Sequence, residues 1–338
     1  MKAWKVTQSN TVKEVDWQEP EMTTDAVQVK ITKALITSND IINFDNDDDT
    51  EEVVPGSYGI GIVTEIQENI YNIARGDRVY ISPISDCGEC HNCMNNFNEK
   101  CIDFKIAGAN TNGFLRDFCV MPFSSIHRLP SSVSDLAALN IDYICKAIAI
   151  IDKLDFKKGD HIAVIGGNTF GNILAQLIIY YRGVPILVDD NQDNLDIAKK
   201  SGIYYTILAD SEMKRSVSSI TGGRYCDSVV YVIDSDIAPK TAFNLAGFGT
   251  PIIVTGTSFK STRIDISIAL KNQLDIMCLS NGFGNIGSAI NLIINKAVVF
   301  DHLKINEASF EEVPAVLEEG VKSLNDSQTF TDTVINLM

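Results

Sequence analysis

The chain has 338 residues, enough for about two domains. Apolar residues make up 45% and charged residues 21%, so sizeable cores can form and disorder is excluded for most of the length. Acidic residues outnumber basic ones 44 to 28, and the net charge of −16 argues against nucleic acid or an anionic membrane as partner.

No apolar leader follows Met1-Lys2-Ala3-Trp4-Lys5-Val6, and a cytoplasmic location is expected. Residues 1–148 read as short strands and turns. Val27–Ile31 alternates like a half-buried strand, and Gly59–Ile66 is glycine-rich before becoming a strand. An acidic run, Asp45, Asp47, Asp48, Asp49, Glu51 and Glu52, lacks the glycine and spacing of an EF-hand and reads as a solvated loop. Arg75-Gly76-Asp77 is a turn leading into a strand over Arg78–Ile81. Helical patterning appears at about Asp135 to Leu154.

Past Gly159 strand and helix patterns alternate: His161–Ile165, Gly171–Arg182, Pro185–Val188 and Asn194–Ser201. Further strands are expected at Ser228–Ile233, Thr250–Thr255 and Asp275–Leu279. Such alternation implies a parallel sheet with helices on both faces, an α/β fold. The uncharged stretch Ile162–Tyr181 is long enough to span a membrane. Its glycines, asparagines and Gln176 make strand, turn and helix the better reading. The last part, 284–338, should hold a helix from about Phe310 to Leu324 and a short closing strand.

Four of the eight cysteines fall in fifteen residues: Cys87, Cys90, Cys93 and Cys101. In a long chain without a leader, metal binding suits them better than disulfides. Four thiolates make a closed tetrahedral zinc site that holds a loop and leaves no position for substrate. Free or disulfide-paired thiols, or an iron–sulfur cluster, are the alternatives. One structural Zn2+ per chain is expected.

Ala163-Val164-Ile165 runs into Gly166-Gly167-Asn168-Thr169-Phe170-Gly171 and an apolar helix. The pattern G-x-G-x-x-G is kept except that Asn168 stands at the middle glycine. Gly166 would make the tight turn and Gly171 the close helix–strand approach, while a side chain at 168 crowds the pyrophosphate. Asn tolerates the left-handed conformation, so the turn remains feasible. Asp189, 23 positions past Gly166, would accept hydrogen bonds from ribose hydroxyls and repel a 2′-phosphate, favouring NAD(H) over NADP(H). A domain of this type that has lost its cofactor is the bland alternative.

A closed cysteine lobe 65 residues before a dinucleotide turn resembles the medium-chain dehydrogenase/reductase superfamily, in its zinc-containing alcohol dehydrogenase branch. Gly113–Phe118 through Leu129-Pro130, Asn194–Gly202 and Ile253-Val254-Thr255-Gly256 resemble further segments of that family. The resemblance implies a β-rich GroES-like catalytic domain over 1–148, a Rossmann dinucleotide-binding domain over 149–283, and completion of the catalytic domain by 284–338. It also places Thr255 near the nicotinamide.

Several positions depart from the family. Its first catalytic zinc ligand, a cysteine, aligns with Thr37, and its Gly-His-Glu with Gly56-Ser57-Tyr58. Asp40 fits the acid behind the ligands, and Asn39 stands at the proton-relay hydroxyl. The third-ligand region falls on Leu139–Tyr143 without a clear match, and Asp332 stands where a basic residue often meets the pyrophosphate. The four histidines, His91, His127, His161 and His302, lie outside these stretches. Hydroxyls bind zinc poorly beside thiolate and imidazole, so the catalytic metal is expected to be absent.

The resulting expectation is an NAD(H)-dependent oxidoreductase acting on a small carbonyl, alcohol or conjugated alkene without catalytic zinc. Tyr58 is the candidate proton donor, or else a ring that fills the space left by His-Glu. Asn39 and Asp40 could bind substrate, or Asp40 could only tie a loop. Two rivals stand: a zinc alcohol or polyol dehydrogenase with ligands such as Asp142 or Cys145, and a non-catalytic dinucleotide-binding relative. The assembly is expected to be a homodimer or homotetramer.

Overall fold

A computed structural model describes residues 1–7, 11–18, 21–45, 52–67, 72–233, 237–256, 266–326 and 330–337. The chain forms two compact units. One comprises Met1–Asp142, Ile305–Asp326 and Phe330–Met338; the other is built on Tyr143–Lys304. Within the acidic run, Asp45 and Glu52 are exposed, and Glu52 pairs with Lys5 at 2.6 Å. The rest of that run lies outside the described residues.

The first unit is organised by one long strand, Ala26–Ile36. Val27, Val29 and Ile31 alternate inward and are almost fully buried, as the period of two requires. Tyr58–Ile66 pairs with it antiparallel, as do Phe118–Pro122 and the closing strand Thr333–Asn336. Arg78–Ile81 then extends the sheet beyond Tyr58–Ile66. Lys2–Thr7 and Thr11–Asp16 form a separate antiparallel pair. Phe114, Leu115, Ile41, Phe44 and Val313 fill the core with the inward residues of the sheet.

The helix expected near Asp135–Leu154 is two helices, Asp135–Leu139 and Ile141–Leu154. Ser134 caps the first by accepting from the Ala137 N–H. Asn140 ends it, its side-chain amide donating to the Leu136 carbonyl at 2.9 Å. Residues that bond their own backbone in this way compete with helix continuation.

In the second unit six strands run parallel. Their order is Tyr205–Leu208, Val184–Asp189, His161–Ile165, Ser228–Val232, Pro251–Thr255, Asp275–Leu279. The order reverses between His161–Ile165 and Ser228–Val232, which is where a doubly wound sheet opens a crevice for ligand at the carboxyl ends of its strands. Ile162, Ala163, Val164 and Ile165 are all fully buried, as a central parallel strand covered on both faces must be.

The second unit begins at Tyr143 and runs to Lys304, so it is wider at both ends than the 149–283 read from the sequence. The reason is packing within that unit. Gln176 bonds both the Val299 carbonyl and the Val299 N–H, tying the chain past 283 to the helix Thr169–Tyr180. Gly282 lies against Cys145 and Lys146, where a Cβ would fall about 2 Å from their backbone atoms.

Candidate active site and metal lobe

The cysteine loop is closed at its base by a two-stranded ribbon, Ile84–Ser85 with Lys105–Ile106. A single helical turn, His91–Met94, carries Cys93, and Cys90 precedes it. The four sulfurs lie within 4.8 Å of one another. Cys90 and Cys93 are 3.4 Å apart, Cys87 and Cys101 3.5 Å, and Cys87 and Cys93 3.9 Å. Four sulfurs at zinc–thiolate distance around a tetrahedral centre stand about 3.8 Å apart, so the donor set fits a closed four-thiolate site. The N–H groups of Cys87, Cys90 and Asp103 each point at a sulfur at 3.4 Å and favour its anionic form. Backbone N–H groups of Cys93 and Ile102 draw the Cys90 thiol down to about 6, the direction that favours a thiolate ligand. Burial and the adjoining Cys90 push Cys93 the other way.

In the dinucleotide turn, Gly166 takes φ +105°, a conformation that side chains rarely adopt. A Cβ on Gly171 would stand 1.9 Å from the Gly166 carbonyl oxygen, so only glycine allows this closure. Asn168 does not use the left-handed conformation that asparagine tolerates. It is extended, with φ −61°, and caps the helix Thr169–Tyr180 by accepting from the Gly171 N–H at 3.0 Å. Such a cap contributes roughly 1 kcal/mol, which gives the missing middle glycine a structural reason. Thr169 and Phe170 form the first turn of that helix.

Asp189 ends its strand and is 3% exposed. Its Oδ2 accepts from the Gly167 N–H, and its Oδ1 from the Asn191 N–H at 2.8 Å and the Asn194 amide at 3.1 Å. Burial pushes its carboxyl up, while these donors pull it down. A carboxylate offers about four acceptor positions, so room is left for about one more donor such as a ribose hydroxyl. Thr255 closes the strand Pro251–Thr255, and its buried hydroxyl has no partner among the described residues.

The family-matched ligand positions lie together in the first unit and are organised by Asp40. This carboxylate, 1% exposed, sits on the helix Ser38–Asp45. Oδ2 accepts from the Thr37 N–H at 2.8 Å and the Thr37 hydroxyl at 3.0 Å. Oδ1 accepts from the Gly56 N–H at 2.9 Å and the Ser57 hydroxyl at 3.0 Å. Gly56 itself needs φ +95° to present that N–H. Thr37 and Ser57, the residues at the thiolate and imidazole positions, therefore direct their hydroxyl protons at one buried acid. Burial raises the Asp40 carboxyl against these four bonds. Asp40 thus joins the Thr37 and Gly56–Ser57 segments through four hydrogen bonds.

Tyr58 opens the strand Tyr58–Ile66 and is 7% exposed. Its hydroxyl donates to Asp142 Oδ2 at 3.2 Å. Burial, then the charges of Asp142, Asp40 and Asp332, hold the phenol well above its usual range. Asp332 is itself buried, just ahead of the closing strand, and its carbonyl accepts from the Asn306 N–H at 3.0 Å. Asn39 is half-buried on the first turn of its helix. Asp142 was not singled out as a partner for Tyr58. The signal was an acid in the first turn of a largely apolar helix, within the third-ligand stretch.

The histidines and the other cysteines have settings of their own. His127 packs on Tyr80 with ring centres 6.4 Å apart, and burial lowers its pKa. His161 lies 3.8 Å from Asp227. His91 and His302 are exposed. Cys119, Cys145 and Cys226 are buried, and Cys278 is exposed.

The sequence pattern of the alcohol dehydrogenase GroES-like domain matches residues 23–131. An uncharacterized zinc-type alcohol dehydrogenase-like protein from Haemophilus influenzae is 24% identical over 246 residues, covering 72% of each chain. Among solved structures, an Escherichia coli oxidoreductase/dehydrogenase of unknown specificity superposes with a TM-score of 0.89 at 20% identity, over 100% of this chain and 99% of that one. A second, an alcohol dehydrogenase from E. coli CFT073 complexed with NADH, gives 0.85 at 18% identity over 100% and 99%. At these identities the structural likeness carries the fold.

Proposed function

The chain belongs to the medium-chain dehydrogenase/reductase superfamily, in its zinc-type alcohol dehydrogenase-like branch, and on that footing we propose that it is an NAD(H)-dependent oxidoreductase with structural zinc only. Its substrate is a small carbonyl compound or conjugated alkene, or the corresponding alcohol in the reverse direction. The observation that carries this reading is the hydrogen-bonding of Thr37 and Ser57 to Asp40. Two neutral hydroxyls turned toward a buried carboxylate are a poor donor set for zinc. The lobe thiolates are a good one, and they would hold one zinc per chain.

The cofactor, when bound, supplies the hydride. Gly166–Gly171 would cradle its pyrophosphate at the helix N-terminus, and Asp189 would take a ribose hydroxyl and disfavour a 2′-phosphate. Tyr58 would deliver the proton. Its raised pKa keeps the phenol protonated at neutral pH, and it gives up the proton only to a strongly basic alkoxide or enolate. Asp142, accepting from the phenol, positions it.

No helix of the described residues is long and apolar enough to cross a membrane. A cytoplasmic location and a homodimeric or homotetrameric state belong to the same proposal. Asp275–Leu279, at one end of its sheet, supports an assembly through an edge strand.

The test is turnover of NADH with a panel of small carbonyls and enones before and after mild chelation that leaves the lobe zinc in place. Activity should persist, and Tyr58→Phe should lower turnover by roughly a hundredfold. A second zinc required for turnover, or an unchanged rate in Tyr58→Phe, would refute the metal-free reading and the tyrosine role respectively.

A further inference from the structure

The carboxyl group of Asp189 is held by three donors, and only one of them is a side chain. Oδ2 accepts from the Gly167 N–H, and a Cβ at Gly167 would stand 3.0 Å from the same oxygen. Oδ1 accepts from the Asn191 N–H at 2.8 Å and from the Asn194 side-chain amide at 3.1 Å. The two backbone donors come with the fold, one from the glycine loop and one from the residue that caps the next helix. Asn191 caps Gln192–Lys200 by accepting from the Asp193 N–H at 2.9 Å. The third donor depends on which residue stands at position 194. Asn194 is half-buried on that helix, whose Leu195 and Ala198 are buried and which packs on Val184–Asp189 and Tyr205–Leu208.

Asparagine is a weaker helix former than alanine or leucine, so this position gives up helix propensity and gains a donor. That donor completes a clamp. Two donors on Oδ1 and one on Oδ2 fix the plane of the carboxyl group, and about one of its four acceptor positions stays open, on Oδ2. A ribose hydroxyl can meet the open position with the clamp intact. A bulky 2′-phosphate would need the group to turn aside, and turning breaks the bonds from Asn194 and Gly167 together. A buried donor left without its acceptor is costly, so the clamp opposes that movement.

We propose that Asn194 is a positioning residue for cofactor choice: by holding Asp189 in one orientation it sharpens the preference for NAD(H) over NADP(H). The inference rests on the reading that this unit binds NAD(H) through Asp189, and it names a second residue on which that choice depends. Its effect falls on the adenosine ribose, the part that NADH shares with ADP-ribose and that NADPH carries phosphorylated. One hydrogen bond to such a group corresponds to about tenfold in an affinity ratio.

The experiment is calorimetric titration of the whole protein with NADH, NADPH and ADP-ribose, repeated for Asn194→Leu, which removes the donor at similar size, and Asn194→Gln, which keeps an amide. The unmodified protein should favour NADH. Asn194→Leu should lower the NADH:NADPH preference about tenfold, with ADP-ribose weakened in step with NADH, and Asn194→Gln should keep most of the preference. A merely structural role would weaken NADH and NADPH alike. An unchanged ratio in Asn194→Leu, or NADH weakened with ADP-ribose unaffected, would therefore overturn the positioning role and leave the dinucleotide reading standing. Failure of NADH and ADP-ribose to bind the unmodified protein would end that reading, and this inference with it. Should Asn194→Leu not fold, Asn194→Ala, the stronger helix former, carries the same expectation and the same refutation.

Discussion

Replacing Asp40 with Asn separates a structural tie from a reacting acid. Asn keeps the shape and one acceptor oxygen, which can still serve Gly56 and Ser57. An NH2 group then stands where Oδ2 now accepts from the Thr37 N–H at 2.8 Å. The Thr37 hydroxyl can rotate and accept instead, but the N–H cannot. A buried donor left unpaired costs about 1–3 kcal/mol, and relief of the buried charge offsets part of this. Both tryptophans, Trp4 and Trp17, belong to the same unit as Asp40, so their fluorescence during urea unfolding reports that unit alone. With a urea slope of about 2 kcal/mol per M, the midpoint should fall by roughly 0.5–1.5 M. The pH dependence adds a second readout. Because Asp40 is raised in the folded state, the native protein holds its proton more tightly than the unfolded chain. Its contribution to stability is full below the ordinary aspartate range and is lost as pH rises through the folded value. That slope should vanish in Asp40→Asn. Equal midpoints and equal slopes for the two proteins would refute the role of Asp40 as the tie.

Two further outcomes are expected. The purified protein should carry about one zinc per chain by metal analysis, and Cys93→Ser should lose it, because three thiolates no longer close the site; full retention would sink the assignment. The protein should bind NADH more tightly than NADPH, and Asp189→Ala should narrow the gap by removing the carboxylate that a 2′-phosphate would face. Stronger NADPH binding by the unmodified protein would show Asp189 to have another use.

The architecture was legible where the physical signal is local. His161–Ile165 and Asp275–Leu279 have the bounds that the apolar runs suggested. The cysteine lobe was legible because four thiolates in one loop can converge with little help from the rest of the fold. Helices such as Met213–Ile220 and Ile286–Ile294 were missed. The first buries only Met213 and Val217. The second is short, nine residues, and carries no charged side chain to mark a solvent face. The turn at Asn168 was judged feasible from asparagine's tolerance of the left-handed region, and that tolerance goes unused. Here the same side chain serves better as a helix cap.

The catalytic stretch was legible as a set of departures, and only the fold shows that they fit one another. Read singly, Thr37, Ser57 and Tyr58 are three losses. In space, Thr37 and Ser57 meet on one carboxylate, and Tyr58 meets another, Asp142, which lies 84 positions further along. A hydroxyl buried without a partner costs about 1–3 kcal/mol, so two of them at these buried positions would destabilise the loops unless something accepted their protons. Asp40 accepts both. With a metal cation beside it, such an acid would be stabilised by the positive charge. With hydroxyls and N–H groups instead, it relies on four hydrogen bonds, and its pKa still rises. On the proposed reading, small hydroxyls at these two positions keep the loops tied through Asp40 and leave a donor set poorly suited to zinc. The proton at this place then comes, on the same reading, from Tyr58, the phenol that donates to Asp142.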